Sequence, residues 1–231
     1  LATLAAGPAV GQIAADPNAP GSLRPTVLAA PGGAALVNIQ TPSAAGVSRN
    51  LYRQFDVAPQ GAVLNNSRTA AQTQLAWQVA GNPWLARGPA RVILNEVNSA
   101  DPSRLRGYVE VAGQRAEVVI ANPSGIQVDG AGFINTSRAT LTTGTPQFGA
   151  AGTLDGFLVR GGTIVIDGAG LDAASTDYVS ILSRALRVNA GIWASELKAV
   201  AGTDGASGTS ASTPAFALDV SALGGMYAGK I

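Results

Sequence analysis

The chain of 231 residues contains no cysteine and no histidine. Without cysteine there are no disulfides, no thiolate metal sites and no thiol nucleophile. An exported bacterial protein that crosses a membrane unfolded benefits from that lack, although many cytosolic domains share it. Without histidine the commonest general base and the commonest metal ligand are missing, which excludes a Ser-His-Asp triad and a histidine zinc site. Charge is scarce as well. Charged residues make up 13% of the chain, against about a quarter in typical domains. The 15 basic and 14 acidic residues are dispersed, for a net charge of +1. No basic run is dense enough to track phosphates, so no nucleic-acid partner is expected. No apolar stretch approaches the ~18 residues of a membrane span.

What is present is small and β-forming. The chain has 29 glycines, and with Ala, Ser and Thr they make up much of it, so backbone layers can pack closely. Recurring Val/Ile/Leu runs argue against a flexible low-complexity chain. The clearest local unit is Ala116–Gly130, AEVVIANPSGIQVDG. Asn122-Pro123-Ser124-Gly125 fits a type I turn position by position, between two β-branched arms. Leu1–Val10 is apolar and small. It reads either as the tail of a secretory signal or as the start of the mature chain.

Residues 1–35 are rich in Pro and Gly and read as a loop-like cap region. Short strands are expected at Thr26–Ala29, Ala35–Gln40, Gly46–Val57, Gly61–Asn65 and Arg91–Val97. Thr69–Ala80 (TAAQTQLAWQVA) predicts a helix, because Ala and Gln favour it and Leu75 and Val79 lie four apart. Gly81-Asn82-Pro83 would stop it. From Arg104 onward the pattern repeats. Apolar runs begin at 118, 139, 164 and 186, a period of about 20–25 residues, the mark of a parallel β-helix solenoid. Runs at Ile126–Val128, Phe157–Val159, Tyr178–Leu182 and Ile192-Trp193 fall between them. Gly202–Thr213 is polar and reads as a surface loop, after which Pro214–Val220 and Met226–Ile231 return to β character. The expected division is 1–35 as cap and loop, 36–103 as capping strands with an insertion, and 104–231 as coils, all within one domain.

Several motifs then coincide. Asn122-Pro123-Ser124-Gly125-Ile126 resembles the NPNGI motif of the two-partner-secretion domain, and Asn82-Pro83-Trp84-Leu85 is similar to its NPNL motif. Gly46–Asn50, Gln54–Val57, Leu64–Asn66, Ile93–Val97, Leu141–Gly144 and Leu223–Ala228 resemble further blocks of the family in the right order. The departures are Ser124 and Trp84, each where the family motif has Asn. The likeness spans nearly the whole chain and is of the contact-dependent growth-inhibition or filamentous-haemagglutinin type. It implies an all-β fold, a right-handed parallel β-helix with an N-terminal β cap and extra-helical β elements. It also implies a job. The domain is the N-terminal part of a longer exoprotein, toxin or adhesin, and is recognised in the periplasm by the POTRA domains of a cognate outer-membrane β-barrel transporter. It then folds outside, secreted to the cell surface, with a monomer expected and no cofactor.

Two readings attach to each motif. Asn122, Pro123, Ser124, Gly125 and Ile126 favour a structural turn over a transporter contact. Asn82, Pro83, Trp84 and Leu85 lean towards transporter recognition, because a loop carrying Trp beside Arg87 and Arg91 suits binding. Four Asp-Gly pairs (129–130, 155–156, 167–168 and 204–205) lack the nonapeptide spacing of calcium-binding β-rolls, and turn chemistry accounts for them. Asp155, Asp167, Asp172 and Asp177 are the only candidates for a paired-carboxylate glycosidase. Nothing in their spacing fixes them on one face, so no enzyme is expected. The other competing class is an adhesin that binds glycans or receptors directly, whose mark would be an exposed aromatic platform on the solenoid flank.

Overall fold

Alternating apolar residues and glycine-bearing corners build a three-faced coil. The structure, a computed structural model, describes residues 12–202, 218–219 and 225–231. The ranges 1–11 and 203–217 lie outside the described residues, as do 220 and 221–224. That removes from view the Leu1–Val10 segment, the Gly202–Thr213 loop beyond Gly202, the fourth Asp-Gly pair and most of Pro214–Val220.

The first face stacks Ala35–Asn38, Ala62–Asn66 and Tyr108–Gly113 in parallel register. It continues through the second half of Ile126–Ile134, the second half of Thr163–Ala173, the start of Gly191–Ala201, and Gly225–Lys230. The second face stacks Val47–Phe55, Val92–Val97, Ala116–Ala121, Thr136–Thr142, Tyr178–Ser183 and the end of Gly191–Ala201. The third runs from Ser103–Leu105 through the first halves of Ile126–Ile134 and Thr163–Ala173 to Ala185–Val188 and Leu218–Asp219. The long strands therefore bend from one face into the next. Parallel coiling already joins Ala35–Asn38 to Ala62–Asn66, earlier than the residue-104 boundary expected from the repeat.

Inward residues form continuous columns. On the second face Val118 pairs with Ala139, Ala139 with Val179 and Val179 with Leu197, and all four are buried. Ile126, Ile164 and Leu186 do the same on the third. Each fully buried Val, Leu or Ile contributes roughly 1.5–3 kcal/mol relative to exposure. The neighbouring second-face column, which runs through Ile120, turns polar at its N-terminal end with Asn95 and Asn50, and their groups are matched. Asn50 Nδ2 donates to Ser48 O, and Asn95 Oδ1 accepts from the Tyr52 hydroxyl at 3.0 Å. Complete burial of Tyr52 pushes its phenol far above the usual range.

The cap is antiparallel. Ile13–Ala15 pairs with Val47–Phe55, and Thr26–Ala29 with Ala35–Asn38. Among the described residues, two antiparallel hairpins lie outside the coil. One joins Ala71–Gln72 to Gln78–Val79, where the sequence predicts a helix. The reason is tertiary. The buried Glu110 carboxylate accepts from the Gln74 and Leu75 backbone N–H groups, which fixes an open tip. Trp77 at that tip adopts a positive φ of 56°, and Ala76 and Val79 pack against Val63 and Ala112 on the outer side of the first face. The other hairpin joins Thr145–Phe148 to Leu154–Leu158. The Phe157–Val159 run, expected in the coil, therefore belongs to it. Its Leu154 and Phe157 cover Val47, Leu94 and Val119 on the outer side of the second face.

Candidate functional site

The Asn82–Leu85 segment starts as an N-cap. Asn82 sits in extended conformation before a single 3-10 turn at Pro83–Leu85, and its Oδ1 accepts from Trp84 N at 3.0 Å. Pro supplies no N–H and a fixed φ, which suits the first position of such a turn. The Asn82 amide is buried, and its Nδ2 donates to Ile39 O and Asn65 O, both at 2.9 Å. One side chain thus ties the segment to two coils. Leu85 is buried in the main core. Pro83 and Trp84 face outward, Trp84 with 43% of its surface exposed. Its indole N–H donates to Thr26 Oγ1 at 3.3 Å, and the Thr41 hydroxyl donates to Trp84 O at 2.7 Å.

The chain after the turn builds a basic ledge. A cavity of about 460 Å³ opens between residues 42–46 and 87–91, with Arg87 and Arg91 in its lining. Arg91 is held there by a hydrogen bond from Nη2 to Ala45 O. The turn offers an exposed indole and the cavity that follows it in the chain two guanidinium groups, groups suited to a protein partner with aromatic or acidic side chains.

The Asn122–Ile126 segment is a coil corner. Gly125 N donates to Asn122 O at 3.0 Å, and Asn122 Oδ1 accepts from Ser124 N at 2.9 Å. The buried Asn122 Nδ2 donates to Asp101 O and Ser103 Oγ. The Ser124 hydroxyl donates to Ser99 O at 2.9 Å. Gly125 has φ +120°, and a Cβ there would stand 3.0 Å from Thr163 O, so the last turn position requires glycine. Ile126 enters the core of the third face.

The four candidate carboxylates are not brought together. Asp155 is on the outer hairpin and Asp177 pairs with Arg115 at 2.9 Å. Asp167 lies in the register of Asp129, where the third-face strands pass toward the first. Asp172 lies on the outer side of the first face. Sequence reasoning missed Thr26 and Thr41, which hold Trp84, and Glu110, which anchors the first hairpin. Their partners lie 58, 43 and 36 or 35 residues away, beyond any local signal.

The family profile of the TPS secretion domain matches residues 11–231. The chain belongs to the TPS, or two-partner-secretion, domain family. It is 55% identical over 231 residues to the Toxin CdiA of Yersinia pestis, covering 95% of this chain and 7% of that protein. It is 49% identical over 221 residues to the tRNA nuclease CdiA-2 of Burkholderia pseudomallei strain 1026b, covering 91% of this chain and 7% of that protein. The chain thus spans about 7% of the length of these relatives. Among solved structures, the crystal structure of a filamentous hemagglutinin secretion domain superposes with a TM-score of 0.81 at 32% identity, covering 93% of this chain and 75% of that one. The TPS chain is therefore a secretion domain of the CdiA and filamentous-hemagglutinin type with the β-helix fold, and the nuclease-named relatives match it in that domain.

Proposed function

We propose that this TPS domain is the non-enzymatic leader of a large exoprotein, read in the periplasm by the POTRA domains of its own outer-membrane transporter and delivered to the cell surface. The observation that carries the reading is the match to the secretion domain over residues 11–231. Within the domain, Asn82–Leu85 is the recognition segment. Asn82 and Leu85 fasten it, and Pro83 and Trp84 face the transporter beside Arg87 and Arg91. Asn122–Ile126 keeps a structural role as a corner of the coil. No ATP drives transport in the periplasm, so coil-by-coil burial of apolar residues outside the cell supplies a bias against return.

The test is capture of residues 1–231 by the purified periplasmic domains of the partner transporter, with the chain presented folded in one arm and freshly diluted from urea in the other. Retention in either arm, lost on Trp84→Ala, supports the assignment. Failure of the unaltered chain to bind in both arms overturns it. Undiminished capture of Trp84→Ala removes the recognition role from that segment.

A further inference from the structure

The outer side of the first face is divided. Over its first three levels it lies under the hairpin of residues 71–79. Beyond them no hairpin covers it among the described residues. From the third level onward, one outward position on each of five successive levels falls in a single register column: Tyr108, Gly132, Asp172, Trp193 and Tyr227. The Tyr108 ring leans across Gly132, where a Cβ would come within 2.2 Å of it. Its hydroxyl reaches the next level and donates to Asp172 Oδ2 at 2.7 Å. That bond, then burial and the carboxylate charge beside it, holds the Tyr108 phenol above the usual range. Asp172 Oδ1 accepts from Ala174 N at 3.2 Å.

The rest of the column is aromatic. The Trp193 indole lies against Gly191, where a Cβ would come within 2.5 Å of it, and the Tyr227 ring lies against Gly225. The two ring planes are 11° apart with centroids 6.0 Å apart. Both rings are open to solvent, Trp193 at 43% and Tyr227 at 58% exposure. A cavity of about 450 Å³ runs between Tyr108 and Trp193, with Asp172 the only charged residue in its lining among the described residues. Glycine and alanine form its floor, so a ligand can approach the rings closely.

We propose that the Tyr108–Asp172–Trp193–Tyr227 column binds an oligosaccharide, with the C–H faces of successive pyranose rings on Trp193 and Tyr227 and sugar hydroxyls donating to Asp172. Three features select this chemistry. Flat exposed rings offer a large apolar area at low conformational cost. The carboxylate already accepts two hydrogen bonds, so its charge is partly met while its remaining lone pairs are free to accept hydroxyl groups. The strip extends over several coils, which suits a chain of repeating units better than a single point charge. This site stands apart from the transport reading, because none of its residues belongs to the Asn82–Leu85 ledge.

The test titrates residues 1–231 with cellotetraose, chitotetraose and lacto-N-tetraose by calorimetry and NMR, with choline chloride as a cationic arm. Saturable binding of at least one tetrasaccharide is expected, weakened about tenfold or more by Trp193→Ala and by Asp172→Asn. Trp193→Phe, which keeps a ring, retains most of the binding, and its thermal melt shows that the coil is intact. Trp77→Ala leaves binding unchanged. Absence of saturable binding by all three sugars overturns the proposal. So does equal binding by Trp193→Ala, or binding of choline in place of the sugars. A chain that ignores the sugars yet is captured by the transporter sinks this proposal alone.

Discussion

The two Asn-Pro segments use one device for two ends. In each, a buried Asn accepts through Oδ1 from the N–H two residues on, Trp84 in one and Ser124 in the other. In each, its backbone oxygen accepts from the N–H three residues on, from Leu85 at 3.2 Å and Gly125 at 3.0 Å. In each, Nδ2 donates to two acceptors on other segments. The difference lies in the third and fourth residues. Ser124 turns its hydroxyl in to Ser99 O and Gly125 takes a left-handed backbone, so that corner closes on itself. Leu85 plugs the core while Trp84 stays outside. Asn is architecture at both places, and the third residue decides whether the turn is sealed or presented.

The largest expected effect comes from breaking the sealed corner. Asn122→Ala removes three hydrogen bonds, stranding the buried Ser103 Oγ and the part-buried Asp101 O and Ser124 N, and opens a corner that joins two faces of the coil, costing about 3 kcal/mol. The melting temperature should fall, and amide exchange should rise first in Ser103–Leu105 and Ile126–Val128. Asn82→Ala also removes three hydrogen bonds, stranding Ile39 O, Asn65 O and Trp84 N, but it loosens an outer turn rather than a coil corner. Its expected cost is about 2 kcal/mol, with exchange rising at Trp84 and Leu85. If Asn82→Ala melts lower than Asn122→Ala, the ranking of corner above ledge is wrong. Ser124→Ala loses one half-buried hydrogen bond and should cost about 1 kcal/mol. No change in melting there would mean that the Ser99 contact contributes nothing and the corner is held by Asn122 alone.

How much of this is legible in sequence follows from which interactions are local. Thr26–Ala29 forms where its composition places it, and the inward runs at Val118–Ile120 and Ala139–Leu141 stand out because their pattern is written in adjacent residues. The Asn-Pro turns are legible for the same reason. Residues 71–79 are not. Ala, Gln and the Leu75/Val79 spacing favour a helix, and the decision is made by Glu110, a residue 36 positions from Gln74. Such tertiary override is ordinary for a weak propensity. The Leu154–Leu158 hairpin deceived in another way, because a short β-rich run has the same composition whether it stacks in the coil or folds over it. The aromatic column was the least legible of all. In the sequence Asp172 reads only as one of several carboxylates and Trp193 only as part of an apolar run. Their adjacency depends on the register of residues 171–173 on 192–194, and the insertion of residues 145–158 separates Asp172 in sequence from Gly132 and Tyr108, its neighbours in the column.

The smallest effect on stability should come from the residue that most separates the two turns. Trp84 is partly exposed, and its removal costs the indole–Thr26 hydrogen bond of 3.3 Å and some apolar contact, under about 1 kcal/mol for a group in such a position. Both Asn82 and Leu85 keep their partners in Trp84→Ala, so the ledge keeps its shape. If the exposed third residue is what a partner reads, this nearly silent change should abolish capture by the transporter's periplasmic domains. Ser124→Ala, costlier to the fold, should leave capture intact. Measuring melting and capture for both variants separates the two roles. Should Trp84→Ala and Ser124→Ala lose capture in proportion to lost stability, the two turns serve the fold alike and the distinction between sealed and presented residue fails.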